Sequence, residues 1–353
     1  MRSVIWIINK YDAGKFPEDV EKDGLKVVNL SSNENPYPPS DKVKEAYLKA
    51  LSSINRYPHP EYADLKRAIA NYLGIEEGKI AVGNGASDIL NNICVALLDA
   101  FDKVVIPIPS FTLYAIFGML RDASIEYVEF PDYKIKAEEI PEFKLLFLCS
   151  PNNPTGNVVD RKEIEKVLEK GNYVVVDEAY VEYCNESVVD LVNEFDNLVV
   201  VRSFSKFFGL AGLRIGYAIA NEQIVEGLEK IRLPFCISKV ANDVAIAALK
   251  SVDYYSKLRD KIIRERERLI KEINKISFLK AHSSDANFVL VKVEGEINLA
   301  KELLKRGIIV RDVTGLMGLK GEYVRITVGC KEENDILIEA LNSLEESKEF
   351  KKL

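Results

Sequence analysis

The feature that most constrains the fold of this chain lies between residues 79 and 220, where short apolar runs alternate with helical patterns. The strand-like runs are KIAVGN, KVVIPI, LLFLCSP, YVVVDEA, NLVVVRSFS and RIGYAIA. Near-continuous runs of Val, Ile and Leu separated by helices are typical of a parallel sheet that is covered on both faces. We therefore predict an α/β protein with a mostly parallel sheet, whose ligands bind at the carboxyl ends of the strands.

The patterns outside this stretch predict a second, smaller domain. A chain of 353 residues is long enough for about two domains. After about residue 236, long charged helices and short strand-like runs form an α+β pattern. We expect residues 1–40 to form an amino-terminal arm or lid and part of the small domain. Residues 41–235 would form the large domain and residues 236–353 the small carboxyl-terminal domain.

Composition and charge exclude several classes of function. With 55 acidic and 48 basic residues, the net charge of -7 argues against a general affinity for nucleic acid or anionic membranes. The amino end does not resemble a signal peptide and no window is apolar enough to span a membrane, so we expect a cytoplasmic protein with a small-molecule partner. Five scattered cysteines and two histidines predict no disulfide framework and no metal site. Chemistry would therefore depend on Lys, Tyr, Asp or a cofactor.

Polar and aromatic residues follow the first predicted strands, at ends that converge if the sheet is parallel. GNGASD places Ala86 and Ser87 at a strand-to-helix turn, where backbone N–H groups can bind a phosphate, although a tight turn explains its glycines equally well. IPSFTLY offers Phe111 and Tyr114, and either ring could stack on a flat ligand or pack in the core. CSPNNPTG places Asn153 in a rigid loop whose amide groups can donate hydrogen bonds.

The later strand ends carry ionisable groups. VVVDEAY leaves Asp177 at the end of an apolar strand, where an unpaired carboxylate is costly, and Tyr180 follows three residues later. SFSKFFGLAGLR adds Ser203, Ser205, Lys206 and Arg214. A lone lysine at a strand end is more often a solvated charge than a reactive group. The ordered set nevertheless contains the groups needed to hold pyridoxal 5'-phosphate: a lysine for its aldehyde, an aspartate for its ring nitrogen and donors for its phosphate.

The same motifs give the chain a resemblance to a known family. SFSKFFGLAGLRIGY, SPNNPTG, DEAYVEY and LSSNENPYPP resemble the class I/II aminotransferases of fold type I, from about residue 29 to residue 329. Within that family the chain is most similar to the histidinol-phosphate aminotransferase subgroup. The resemblance implies a large domain with a mostly parallel seven-stranded sheet between helices, plus a smaller α+β domain. It also implies a pyridoxal-phosphate enzyme of histidine biosynthesis that converts histidinol phosphate and 2-oxoglutarate to imidazole acetol phosphate and glutamate.

The resemblance implies a role for each cofactor residue. Lys206 matches the lysine that forms a Schiff base with the cofactor and moves the proton, and Asp177 matches the partner of the ring nitrogen. Tyr180 and Asn153 match the groups that bond the ring oxygen, and Phe111 matches the aromatic residue that stacks on the ring. The phosphate cradle would consist of Ala86, Ser87, Ser203, Ser205 and Arg214. One departure is the serine at position 87, where the family commonly has an acidic residue.

The resemblance also implies a shared site and two substrate-binding arginines. Tyr57 in NRYPHP matches a tyrosine that reaches the cofactor phosphate of the neighbouring subunit, which implies a homodimer with shared sites. Arg325 in YVRITVG matches an arginine that binds the substrate carboxylate in many aminotransferases. Because histidinol phosphate has no carboxylate, its phosphate would take that site, and Arg311 in IIVRD matches a position near this phosphate. Surface or domain contacts are the alternative for both arginines. A substrate lid would include Asn33, Glu34 and Asn35.

Other functions stay open from the sequence. The same fold would also suit a threonine-phosphate decarboxylase or an aminotransferase for aromatic or acidic amino acids such as aspartate. A non-catalytic nucleotide-binding protein would keep the sheet but would not need Lys206, Asp177 and Tyr180 together. A nicotinamide dehydrogenase is disfavoured because the GxGxxG fingerprint is absent.

Overall fold

Two β-sheets organise the protein. The computed structural model describes residues 1–20, 27–295 and 297–347; residues 21–26, 296 and 348–353 of the predicted arm and small domain lie outside that description. The strands are β1 (Val28–Leu30), β2 (Ile80–Gly83), β3 (Lys103–Ile108), β4 (Ser124–Glu129), β5 (Leu145–Cys149), β6 (Tyr173–Asp177), β7 (Leu198–Ser203), β8 (Gly216–Ala220), β9 (Leu279–Ala281), β10 (Phe288–Val293), β11 (Ile308–Asp312) and β12 (Glu322–Thr327). The helices are α1 (Pro17–Val20), α2 (Asp41–Leu51), α3 (Ala63–Leu73), α4 (Ala86–Leu97), α5 (Leu113–Met119), α6 (Arg161–Leu168), α7 (Glu222–Ile231), α8 (Lys239–Leu249), α9 (Val252–Ile273), α10 (Leu299–Leu304) and α11 (Lys331–Glu346).

The larger sheet confirms the predicted α/β architecture. Within the described residues it has seven strands in the order β2-β8-β7-β6-β5-β3-β4. Only β8 runs against its neighbours β2 and β7, and the other pairs in this part of the chain are parallel. The edge strand β4 was not among the apolar runs, because three of its six residues are exposed and none is fully buried.

The continuous apolar runs arise because the large sheet is buried on both faces. On β6, Val174 and Val176 pack into one core cluster, whereas Val175 between them packs into another. Helices α4, α5 and α7 contribute to the Val175 side, and α3, α6 and α8 to the opposite side. A strand covered on both faces has no solvent-exposed face, which explains why apolar and polar residues do not alternate along its sequence.

The second sheet joins residues from both ends of the described chain. Its order is β1-β11-β12-β10-β9 within the described residues, and β1 pairs in parallel with β11. Apolar side chains of α9 and α11 pack against this sheet. Residues 28–30 therefore belong structurally with the carboxyl-terminal part of the chain, while the exact domain boundaries stay a prediction. Among the described helices, none combines the length and hydropathy that a bilayer-spanning segment needs.

A buried ion pair fixes the strand ends of the large sheet. Arg202 on β7 donates from Nε to the Oε2 atom of Glu178, 2.9 Å away, directly after the end of β6. Both side chains are at most 6% exposed. The same carboxylate accepts hydrogen bonds from the N–H of Val188 at 2.7 Å and from the Ser187 hydroxyl. Because Arg202, Ser187 and Val188 all donate to this one carboxylate, the position of Glu178 is fixed, and with it the turn of the chain directly after Asp177.

We expect Arg202→Met to lower the free energy of unfolding by about 3–5 kcal/mol, because it leaves the Glu178 carboxylate buried without its cation. Urea denaturation measures this change. The matched control is Arg161→Met, which breaks the exposed pair with Asp190 and should cost at most about 1 kcal/mol. Equal losses in the two variants would contradict a structural role for the buried pair.

Candidate active site

The carboxyl ends of the central strands open into a cavity of about 610 Å³. It collects most of the predicted site residues, namely Asn33, Ala86, Ser87, Phe111, Asn153, Asp177, Tyr180, Ser203, Ser205, Lys206, Arg214, Arg311 and Arg325. Tyr11, Ala13 and Phe16 also line it, and sequence reasoning missed them. These residues belong to the amino-terminal arm predicted for residues 1–40, and the aromatic side chains of Tyr11 and Phe16 were the signal that could have marked them as lining residues.

Asp177 at the end of β6 forms the buried floor of the cavity. The hydroxyl of Tyr114 donates to its Oδ2 atom at 2.7 Å, and the N–H of Ala179 donates to Oδ1 at 3.1 Å. Burial raises the pKa of the Asp177 carboxyl from 3.8 to about 6, although these two hydrogen bonds oppose the rise. Asp177 makes no ion pair with any described residue, so its carboxylate can still accept a hydrogen bond from a cationic group.

Of the two aromatic residues that follow β3, Phe111 lines the cavity and Tyr114 does not. Tyr114 is fully buried and stacks on Phe147, with ring centroids 4.7 Å apart and planes 3° from parallel. The ring of Phe111 meets Tyr114 edge to face at 5.5 Å. Tyr114 therefore positions the Asp177 carboxylate, a contact that helical spacing alone did not predict.

Lys206 projects into the same cavity after β7. Its Nζ atom donates to the backbone oxygen of Ser32 at 2.8 Å and lies 5.7 Å from the ring centroid of Tyr180. Burial, together with the positive charges of Arg325 and Arg214, lowers the pKa of this amine from 10.5 to about 7. A substantial fraction of Lys206 is therefore neutral near pH 7 and can act as a nucleophile or base.

Arg214 and the start of α4 form a candidate phosphate cradle. The guanidinium is exposed and donates to the Ser205 hydroxyl at 3.4 Å, and it forms no ion pair with any described carboxylate. The first N–H groups of α4, at Ala86 and Ser87, have no carbonyl one turn earlier in the helix. Gly85 precedes them at a φ of +87°, and a side chain there would clash with the Arg214 guanidinium. The close approach of this arginine to a helix amino terminus favours a bound anion.

Two arginines on the small sheet line the opposite part of the cavity. Arg311 and Arg325 occupy paired positions on β11 and β12. Arg325 donates to Asn153 Oδ1 at 2.7 Å and to the Ser31 oxygen at 2.6 Å, while its buried Nε atom has no partner within the described residues. Arg311 bonds the backbone oxygen of Asp12 and lies near the Tyr11 ring. Both arginines contact other segments and also line the cavity.

The remaining predicted residues have other surroundings. Asn33 lines the cavity, but its amide group donates to the Tyr180 hydroxyl at 3.0 Å and accepts from Thr327. Asn35 is outside the cavity lining and donates to the Phe207 oxygen at 2.9 Å. Tyr57 is also outside it, 78% exposed, with its ring stacked on Phe235. Within a single chain, substrate contact by Asn35 and cofactor contact by Tyr57 therefore stay predictions.

Four features of the cavity fit pyridoxal 5'-phosphate. Arg214 at a helix amino terminus suits its phosphate, and the buried Asp177 carboxylate suits its protonated ring nitrogen. The lowered pKa of Lys206 suits bond formation with its aldehyde. Phe111 lines the space that a flat ring would occupy.

Comparison with known proteins identifies close relatives. The family model for aminotransferase class I and II matches residues 25–341. The chain is 55% identical to histidinol-phosphate aminotransferase 2 of Archaeoglobus fulgidus, over 98% of this chain and 100% of that protein. Histidinol-phosphate aminotransferase from Sinorhizobium meliloti, solved in complex with pyridoxal-5'-phosphate, is similar with a TM-score of 0.87, 26% identity and 98% of both chains covered. L-threonine-O-3-phosphate decarboxylase from Porphyromonas gingivalis has a TM-score of 0.82 and 26% identity, covering 91% of this chain and 100% of its own.

The lowered pKa of Lys206 predicts an unusual pH dependence for its reaction with amine reagents. We expect acetylation of Lys206 in the cofactor-free protein to reach its plateau above about pH 7, because the neutral amine predominates there. Peptide mass spectrometry after brief exposure to acetic anhydride gives the rate, with N-acetyl-lysine amide as the reference. Arg325→Gln should move the inflection to higher pH because it removes a nearby positive charge. An inflection near 10.5 in the unmodified sequence would contradict the buried environment.

Proposed function

Because the chain belongs to the class I and II aminotransferases, we propose that it transfers the amino group of histidinol phosphate to 2-oxoglutarate. The products would be imidazole acetol phosphate and glutamate, in a step of histidine biosynthesis. The observation that carries this proposal is that one cavity contains a lysine with a lowered pKa, an anion cradle at Arg214 and a second cationic pair, Arg311 and Arg325. The 55% identical relative, which is named histidinol-phosphate aminotransferase 2, supports it.

We propose that pyridoxal 5'-phosphate is the cofactor and that this chain holds it at both ends. Its phosphate would bind Arg214 and the start of α4, together with Ala86, Ser87, Ser203 and Ser205. Asp177 would bind the ring nitrogen, Tyr180 and Asn153 the ring oxygen, and Phe111 one ring face. The bound cofactor supplies an aldehyde that bonds to amines and a ring that withdraws electron density from the substrate carbon.

Lys206 would act as the general base of the reaction. Its Nζ atom, with a pKa of about 7, can accept a proton from the substrate carbon that carries the amino group and later return it. Arg325 keeps this pKa low, since a second cation nearby disfavours the ammonium form. Asp177, held by Tyr114, would keep its negative charge directed at the ring nitrogen throughout.

Arg311 and Arg325 would bind the anionic end of each substrate in turn. Paired guanidinium groups on adjacent strands can bind the phosphate of histidinol phosphate through several charged hydrogen bonds. The same groups would bind a carboxylate of 2-oxoglutarate in the second half of the reaction. A shared anion site lets one cavity serve two substrates whose other ends differ.

A threonine-phosphate decarboxylase is the second candidate, because such an enzyme also binds an amino phosphate and a solved one is similar in fold. The 55% identical relative favours amino transfer. A non-catalytic nucleotide-binding protein and a nicotinamide dehydrogenase, the other two alternatives from the sequence, do not suit a chain of the aminotransferase family. The cytoplasmic location expected from the sequence stays a prediction.

Addition of L-histidinol phosphate to the protein loaded with pyridoxal phosphate should convert the bound cofactor to pyridoxamine 5'-phosphate, and 2-oxoglutarate should reverse the change. Absorption spectra follow the conversion, and mass spectrometry of the released cofactor identifies it. Lys206→Ala should abolish the conversion because the base is lost, whereas Lys320→Ala at an exposed position should not. Release of CO2 from L-threonine O-3-phosphate without amino transfer would overturn the proposal in favour of the decarboxylase.

We propose further that the protein is a homodimer whose subunits share their sites. The end of α2 and the turn after it expose four large apolar or aromatic side chains, namely Leu48, Leu51, Ile54 and Tyr57. The ring of Tyr57 stacks on Phe235, and Leu233, two residues before Phe235, is 70% exposed. Exposed apolar side chains in such numbers favour burial against a partner. A second copy would bring Tyr57 to the cofactor phosphate of its neighbour.

Mixing of two inactive variants tests the shared site. Lys206→Ala and Tyr57→Ala should each have little activity alone, and their mixed dimers should recover activity because one site then has both an intact lysine and an intact tyrosine. Chains are co-expressed with different tags, and the mixed dimers are isolated and assayed. Sedimentation measures the oligomeric state in parallel. A monomer, or mixed dimers without recovery, would contradict the proposal.

A further inference from the structure

Residues 31–35, the loop that follows β1, are fixed by bonds to groups of the active site. The backbone oxygen of Ser31 accepts a hydrogen bond from Arg325 at 2.6 Å. The backbone oxygen of Ser32 accepts one from Lys206 Nζ at 2.8 Å. The loop therefore passes the proposed anion site first and the reactive lysine second.

The two asparagines anchor the rest of this loop. The backbone N–H of Asn33 donates to the Thr327 hydroxyl at 2.8 Å, and its oxygen accepts from Asn287 at 2.9 Å. Asn35 donates to the backbone oxygen of Phe207 at 2.9 Å. These bonds connect the loop to the ends of both sheets, so the residue between the asparagines is held on a rigid support.

Glu34 is the exception in this loop. Its side chain is exposed and lines the cavity, yet within the described residues its carboxylate makes no hydrogen bond and no ion pair. Together with Asp177 it is one of two acidic side chains among the described lining residues. The proposed partner of Asp177 is the ring nitrogen of the cofactor, whereas no group of the cofactor or of either substrate has yet been paired with the Glu34 carboxylate.

The amino substrate has one polar group without a partner in the proposed site. Its phosphate would bind Arg311 and Arg325, and its reacting carbon would lie at Lys206. The imidazole ring is attached to the other side of that carbon, carries an N–H donor and becomes cationic when protonated. A carboxylate is the natural acceptor for such a ring.

We propose that Glu34 binds the imidazole ring of the amino substrate through a charged hydrogen bond and so selects this substrate over amino phosphates without a ring N–H. The order of contacts along the loop matches the order of groups in the substrate: Ser31 meets the anion-binding arginine, Ser32 meets the lysine, and Glu34 follows two residues later. The inference rests on the proposed function. It adds a specificity-determining residue that acts on one of the two substrates only.

Glu34→Gln should lower kcat/KM for L-histidinol phosphate by about 10- to 100-fold, the range expected for loss of a hydrogen bond to a charged group. The phenyl analogue, phenylalaninol phosphate, should be converted equally well by both forms because it has no ring N–H. The negative charge of Glu34 also raises the pKa of Lys206, so the half-reaction with glutamate, which has no imidazole ring, measures that separate effect and should change far less than the reaction of L-histidinol phosphate. Glu138→Gln, at an exposed carboxylate remote in sequence from the loop, is the matched control.

A binding measurement separates ring recognition from an effect on the chemistry. In the Lys206→Ala background, which cannot turn over, calorimetry should give weaker binding of L-histidinol phosphate when Glu34→Gln is added. The NMR shift of the ring C–H protons against pH should give a ring pKa that is raised in the complex when Glu34 is present and is not raised in the Glu34→Gln variant. An acceptor carboxylate raises that pKa because it stabilises the imidazolium form.

The outcomes distinguish the failure of this inference from the failure of the proposed function. Equal losses with histidinol phosphate and the phenyl analogue would overturn it, since Glu34 would then act on the amino group or the loop and not on the ring. Unchanged kinetics in Glu34→Gln with normal conversion of histidinol phosphate would overturn it while the proposed function stands. Failure of the unmodified protein to convert histidinol phosphate would overturn both.

Discussion

Burial of the Lys206 amine beside positive charges is the interaction on which the rest of the site depends. An amine in water near pH 7 is protonated and cannot act as a base. Here the surrounding protein and the guanidinium of Arg325 lower its pKa to about 7. The site tolerates this cationic neighbour because Arg325 is held by Asn153 and by the oxygen of Ser31. The proposed chemistry therefore requires the two sheets to meet at this point.

The contacts between the sheets explain why the candidate site lies where it does. The large sheet supplies Asp177 and Lys206 at strand ends, whereas the small sheet supplies Arg311 and Arg325. The loop after β1 connects them, since Asn33 bonds Tyr180 on one side and Thr327 on the other. A shift of one sheet against the other would change the distance between the proposed anion site and Lys206. Substrate binding therefore depends on how the two sheets are positioned relative to each other.

Much of the fold followed from the apolar runs, and the exceptions have physical causes. Six strands of the large sheet were predicted because a strand buried on both faces has no solvent-exposed face and forms a near-continuous apolar run. The edge strand β4 was missed because half of its residues face solvent and dilute the pattern. The sequence left the choice between Phe111 and Tyr114 open, since both rings lie near one strand end. Only packing decides that Tyr114 stacks on Phe147 and bonds Asp177.

The sequence by itself determined the α/β class, the strand ends that carry chemistry and the resemblance from which the cofactor was inferred. These features are local, because they depend on the order of apolar and polar residues along single elements. The tertiary structure decided the rest: the lowered pKa of Lys206, the support of Asp177 by Tyr114, and the free carboxylate of Glu34 in a loop whose other residues are all bonded. Burial, electrostatic environment and unpaired polar groups depend on residues that are distant in the chain, and they exist only after the sheets have packed together.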